Sequence, residues 1–490
     1  MIMVPVLAFL TLGAWALSSP VASSADEDFH LASTWCGLGE RDGLCEDPGD
    51  PVQRLVPTAL TKATCYAFHS DVSAACWHPG EPGMTVVERA NVDGLYPRLF
   101  YATMSVFASP DIQASVMAMR LFNSAFAVGV LTAVFWALPR GTRPALLVSV
   151  LATSVPLGLF VYASTNPSSW ALLSAATVWI TLYAATRTSG RRRLILLGLA
   201  VFGGLIGAGA RADSAAYAVF GALLGLFLGV RSFRTHLLPL LAGLFIALLS
   251  VAFYLGAGQG GAVVSGLESD APALTGTQIV FNLLNVPTLW TGALGGWGLG
   301  WIDTIMPGIV TVLATSVFAG AIFVGIHGAR GRRVIAGALA LLAMWMVPFV
   351  LLYQSRAIVG SLVQPRYILP LMIITIGVTS LRLGAVRAWS GTRVILAGIA
   401  LTVAVAVALH TNIRRYTTGL DQLALDPGGH AEWWWPNAPS PLVTWVVGSL
   451  AFGALVGLIA LVASQSARVE TADQIALAQP TKIASPTPPR

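Results

Sequence analysis

Twelve long apolar runs, with arginine-rich breaks between them, leave this chain few ways to fold. They lie at about 1–19, 113–138, 144–163, 169–186, 194–210, 214–230, 237–257, 306–326, 334–353, 367–383, 394–412 and 441–464. Each is 17 residues or longer, enough for a helix to cross a hydrocarbon core of about 30 Å. Lipid offers no partners to backbone N–H and C=O groups, so such runs must close their own hydrogen bonds as helices. Only 10% of the 490 residues are charged, against about 25% in a soluble domain. The expectation is an all-α polytopic membrane protein with about 12 transmembrane helices. Around Ala210-Arg211-Ala212-Asp213 the pattern leaves open two helices or one broken, re-entrant element.

The charges orient the bundle. Five short connections carry Arg140 and Arg143; Arg187, Arg191, Arg192 and Arg193; Arg231 and Arg234; Arg330, Arg332 and Arg333; and Arg382, Arg387 and Arg393, with no acidic residue. Short loops rich in basic residues stay cytoplasmic, which places these loops and both termini inside. Of the 22 acidic residues, only Glu470 and Asp473 then fall in the cytoplasmic tail. The net charge of +6 records this asymmetry, and no nucleic-acid partner is expected. The expected location is the plasma membrane, multi-pass, with any active site extracytoplasmic.

Four segments follow. Residues 1–19 form a first transmembrane helix. Ser23-Ser24-Ala25 is a passable signal-cleavage site, but there is no basic n-region and the apolar run is near span length, so retention is expected. Residues 20–112 form a small extracytoplasmic cap, acidic and rich in turn formers such as Pro48-Gly49-Asp50-Pro51. It holds all four cysteines, Cys36, Cys45, Cys65 and Cys76. An even count in an oxidising compartment predicts two disulfides. Three pairings are possible, and the local one, Cys36–Cys45 with Cys65–Cys76, is preferred. A zinc site would need tighter Cys-x-x-Cys spacing. Residues 113–464 form the bundle, and 465–490 read as a disordered cytoplasmic tail.

Two groups of side chains can carry chemistry. The first is Asp26-Glu27-Asp28-Phe29-His30, just after the first span. Crowded carboxylates raise one another's pKa and can tune a general base. They can equally bind a divalent metal, or form a plain solvated acidic linker. The second is a set of arginines toward the outer face: Arg211 beside Asp213, then Arg356, Arg366 and the Arg414-Arg415 pair. Charge inside or against a membrane is costly, and guanidinium is the preferred fork for phosphate. The alternatives are a structural Arg211–Asp213 pair and contacts to ordinary membrane lipids. Trp433-Trp434-Trp435 reads most simply as an interfacial belt. The chain has no Walker loop, HExxH, Gly-x-Ser-x-Gly or strand-borne Gly-x-Gly-x-x-Gly, which argues against an ATPase, a zincin, a serine hydrolase and a Rossmann enzyme.

Asp26-Glu27-x-x-His30 after the first span resembles the first-loop motif of the GT-C membrane glycosyltransferases. The pattern is closer still to a bacterial family of membrane proteins of unknown function, domain of unknown function 2142, grouped with that superfamily. Ala25 stands where that pattern has proline. Leu95-Tyr96-Pro97-Arg98-Leu99-Phe100-Tyr101, Asn166-Pro167-Ser168-Ser169 and Arg366-Tyr367-Ile368-Leu369-Pro370 resemble three further stretches of it, with Arg98 and Ser168 as departures. The resemblance implies a GT-C-like bundle and a polyprenyl-phosphate sugar donor, with no cofactor required. Asp26 would be the base, with Glu27 and His30 orienting it or the acceptor. Arg366, with Tyr367, Arg211 and Arg356, would hold the donor phosphate. The acceptor would be an envelope glycan, lipid or protein. A transporter or lipid-linked-sugar flippase, and a non-catalytic envelope-assembly protein, are the rival readings.

Overall fold

The computed structural model describes residues 3–258, 267, 269–381 and 385–478. Eight helices in it are long and apolar enough to cross a membrane: Ile112–Ala137, Ser168–Ala185, Ala212–Gly229, Leu237–Leu255, Gly308–Ile326, Arg332–Gln354, Thr392–Thr417 and the apolar part of Pro441–Ala478. That is fewer than the twelve spans expected, for local reasons. Met3–Leu17 and Pro365–Ser380 are apolar but shorter. The run at 144–163 breaks into Arg143–Ser154 and Leu157–Tyr162 at Pro156, which has no N–H to continue the ladder. Gly190–Ala208 opens with three arginines, which lower its apolar character. At Ala210–Asp213 the chain makes two helices, Gly190–Ala208 and Ala212–Gly229, which pack on each other and on Ser168–Ala185.

Two helices form the axis of the bundle. Ser168–Ala185 is 94% buried and packs against seven other helices, whereas Leu237–Leu255 is only 22% buried. Every residue of Pro365–Ser380 except Tyr367 is buried. Close approach here depends on small residues. A Cβ at Gly377 would run into the Trp179 ring, and one at Gly225 into the Trp179 carbonyl.

The arginine-rich connections gather at one end. Arg192 donates to the carbonyls of Ala137 and Leu138 (2.8 and 3.2 Å). Arg332 donates to Phe227 and Val230, and Ala385–Ala388 packs on Arg140–Thr142. Arg382 and the side chain of Arg387 lie outside the described residues.

The cap sits at the opposite end. Helix Glu27–Trp35 and a two-stranded antiparallel sheet, Arg54–Pro57 with Met84–Val87, form its frame. Its disulfides are Cys36–Cys45 and Cys65–Cys76. A buried ion pair fastens it to the bundle. Arg415 pairs with Asp303 at 2.8 Å and also donates to the Tyr66 and Val72 carbonyls. The last helix runs to Ala478, past the point where the tail was expected to begin, and 479–490 lie outside the described residues.

Candidate functional site

The loop between the first helix and the acidic motif is buried, and Arg120 organises it. This residue lies inside Ile112–Ala137, 1% exposed. It donates to the carbonyls of Ala16, Ser19 and Pro20 and to Ser23 Oγ (3.1, 2.6, 2.6 and 3.0 Å). Its charge is met by Glu27 at 3.6 Å. The Glu27 carboxylate also accepts from the Ser24 N–H at 2.6 Å and from Thr165 Oγ1. Glu27 has no exposed surface, so it anchors the loop instead of facing solvent. Trp435 lies over Arg120 and donates to the Leu17 carbonyl. Trp433 and Trp435 are thus buried members of this node rather than a membrane belt.

Asp26 sits at the turn this node fixes. Its φ of 58° is left-handed, and it precedes helix Glu27–Trp35. Left-handed backbone costs less for Asp than for most residues, yet still needs support from its surroundings. Support comes from two distant stretches: Asn166 Nδ2 and Arg366 Nη1 both donate to the Ala25 carbonyl (3.1 and 2.9 Å). Arg366 Nη2 bonds the Asp26 carboxylate. Exposed Arg89 lies 3.6 Å from Asp26 and 2.8 Å from Asp28.

From Asp26 the contacts close into a ring. The Arg366 guanidinium lies over the Tyr367 ring at 5.2 Å, and Arg211 lies over the same ring at 5.1 Å. Arg211 also faces Tyr96 at 5.6 Å, and Tyr96 meets His30 edge-on at 5.4 Å. His30 Nδ1 is 2.9 Å from the Tyr101 hydroxyl, and the His30 N–H returns to the Asp26 carbonyl. Arg211 forms a two-point pair with Asp213 (2.8 and 2.9 Å) and donates to Ser168 Oγ. The side chains of Arg211 and Arg366 are 5% exposed, those of Asp26 and Asp213 30% and 25%. The ring is therefore cationic inside and opens through its carboxylates.

The electrostatics separate the motif's members. Burial, the largest influence, raises the Asp26 carboxyl, but the surrounding positive groups together, Arg366 foremost, outweigh it and hold the group below the usual carboxylate value. Burial also raises Asp28, and there Arg89 does not compensate. Burial drives the His30 imidazole well below 6.5, against the upward pull of Asp26. His30 is thus neutral at physiological pH. The unfolded chain takes up a proton near 6.5, whereas the folded site resists it. The contribution of His30 to stability is complete above 6.5 and is lost as pH falls toward the folded value. The melting midpoint is expected to fall between about pH 7.5 and about pH 5.5, and His30→Gln to flatten that decline. Parallel melting curves for wild type and variant would show that His30 is not held neutral.

Of the residues singled out in the sequence, Asp26, His30, Arg211, Arg366 and Tyr367 come together. Glu27 lies just behind them, on Arg120. Arg356 does not join: it is exposed and donates to the Ala271 carbonyl at 3.3 Å. Arg414 and Arg415 hold loops and the cap. Among the described residues, no three His, Cys, Asp or Glu side chains converge as a metal set would. Arg89, Arg120 and Asp213 complete the site without having been assigned a role in it. For Arg120 the signal was present, since it is an arginine inside an apolar run. Arg89 sits in a polar loop and had no such signal.

Span-length helices around a buried axis, with this ring at one end, define a multi-pass membrane protein. A family model described as "Predicted membrane protein (DUF2142)" matches residues 9–375, and the chain belongs to that family. No curated protein and no solved structure matches it.

Proposed function

We propose that the protein is an inverting glycosyltransferase of the GT-C kind. It would move a sugar from a polyprenyl-phosphate donor to a cell-envelope acceptor at the extracytoplasmic face of the plasma membrane. The observation that carries this reading is the convergence of four separated stretches, at 25–30, 95–101, 166–169 and 366–370, with Arg211 on one ring. That ring sets a half-exposed carboxylate beside two guanidiniums stacked on one tyrosine. The arginine-rich loops at the opposite end suit a cytoplasmic side there.

In this reading the acceptor hydroxyl attacks the sugar's anomeric carbon and passes its proton to Asp26. The carbon–oxygen bond to phosphate breaks, and polyprenyl phosphate leaves with the electron pair. Arg366 Nη2 lies between the Asp26 carboxylate and the Tyr367 hydroxyl, 3.4 Å away. A phosphate oxygen arriving there shares the guanidinium, loosens its hold on Asp26 and makes the carboxylate a better base. Arg211 adds the second positive charge, and Glu27, through Arg120, positions the turn. Positioning and charge stabilisation then account for most of the rate.

The test is purified protein incubated with defined polyprenyl-phosphate sugars and envelope acceptors, with products read by mass spectrometry. Arg366→Ala is expected to weaken donor binding and transfer together, because it removes a charged partner of the phosphate. Donor binding that is indifferent to Arg366 and Arg211 would remove the basis of the proposal.

A further inference from the structure

Beside Arg366 lies a recess of about 30 Å³. Its polar lining includes Ser24, Asn166, Gln364 and Arg366, and its apolar lining Phe160 and Trp297. A water-sized group needs about 10–15 Å³ of such space, so the recess holds two heavy atoms rather than a sugar ring.

Two polar atoms of its wall lack a hydrogen-bond partner in the protein. Ser24 Oγ and Arg366 Nε are buried, in residues 2% and 6% exposed. Buried polar atoms in proteins are seldom left without a partner. Nη1 and Nη2 of Arg366 are engaged by Ala25, Asp26 and Tyr367, so Nε is its one nitrogen without a partner. Asn166 is satisfied at both ends, giving to Ala25 and accepting from the Ser168 N–H. Arg366 is the one charged residue lining the recess, and Asp26 already balances it. The chemistry therefore calls for a neutral group that accepts from Arg366 and exchanges a hydrogen bond with Ser24.

The far wall is held in an unfavourable conformation. Ile302 has a φ of 65°, which is rare for a β-branched residue. Asp303 beside it is clamped by Arg415 and by the Phe68 N–H. Strain of this kind persists where the surroundings enforce it, often at ligand sites.

We propose that the recess receives the exocyclic CH2OH of a hexopyranose, so that the protein prefers hexosyl to pentosyl donors. This inference rests on the glycosyltransferase reading and names the sugar class within it. One carbon and one oxygen match the space. A site built to bond a hydroxyl discriminates strongly against the analogue that lacks it.

The experiment measures binding of matched polyprenyl-phosphate pairs: glucose with xylose, mannose with lyxose, and galactose with arabinopyranose. Each pair differs only in the CH2OH group, and bare polyprenyl phosphate is the reference. In at least one pair the hexosyl lipid is expected to bind about 10–100-fold more tightly. Ser24→Val fills the recess and is expected to abolish that preference while leaving bare polyprenyl phosphate unaffected. Ser24→Ala removes only the hydroxyl and is expected to reduce the preference severalfold, which covers the case in which valine disturbs folding. Sugar-lipids that bind without a hexose preference, or with one untouched by both variants, overturn this inference alone. Sugar-lipids that neither bind nor compete with bare polyprenyl phosphate overturn it together with the glycosyltransferase reading.

Discussion

Asp26→Asn is expected to lower sugar transfer by about 10²–10⁴-fold, the usual cost of losing a general base, while leaving donor binding largely intact. Asparagine keeps the size of the side chain, tolerates the left-handed backbone at this position, and can still accept a bond from Arg366 through its amide oxygen. It cannot take up the acceptor's proton. The comparison requires protein at equal levels, with donor binding and transfer measured separately. Asp28→Asn supplies the contrast. Asp28 pairs with exposed Arg89 and does not touch Arg366, so its effect is expected to be small. Transfer at near wild-type rate in Asp26→Asn would take the central residue out of the mechanism. A parallel loss of binding and transfer would make Asp26 part of the donor site rather than the base.

Glu27→Ala is expected to be a folding variant before it is a catalytic one. It strips the Arg120 guanidinium of its buried counter-charge and leaves the Ser24 N–H and Thr165 hydroxyl without their acceptor. Breaking a buried pair by removing one partner costs about 3–5 kcal/mol, much of the margin that keeps a protein folded. The readouts are yield in membranes and melting temperature in detergent. Glu27→Gln retains the side-chain oxygen for Ser24 and is expected to fall between wild type and alanine. If Glu27→Ala melts normally and loses only transfer, Glu27 acts on the substrate and not through the loop.

These expectations differ for two adjacent carboxylates that the sequence presents as one cluster. Both follow the first apolar run, and nothing in their order says which faces Arg120 and which faces Arg366. The partners lie 93 positions from Glu27 and 340 from Asp26. Arg356 and Arg366 pose the same problem. Both are arginines near the ends of apolar runs, yet one is exposed and the other is buried against Asp26. The resemblance picked out Arg366 and Tyr367 from their motif, but not Arg89 or Arg120, which lie outside every quoted stretch.

What the sequence determined by itself follows from local physics. Apolar runs must be helical because lipid leaves the backbone no other partners. The arginine-rich connections share one end because successive spans reverse direction. The two disulfides join cysteines only 9 and 11 residues apart within one loop-rich segment. What only the tertiary structure decided is which charges are buried, and against what. It made Glu27 a strut and left Asp26 half open. It put Arg211, Tyr367 and Arg366 into one stack. Those outcomes depend on how helices distant in sequence pack, and the burial and pairing of a charged group are properties of that packing.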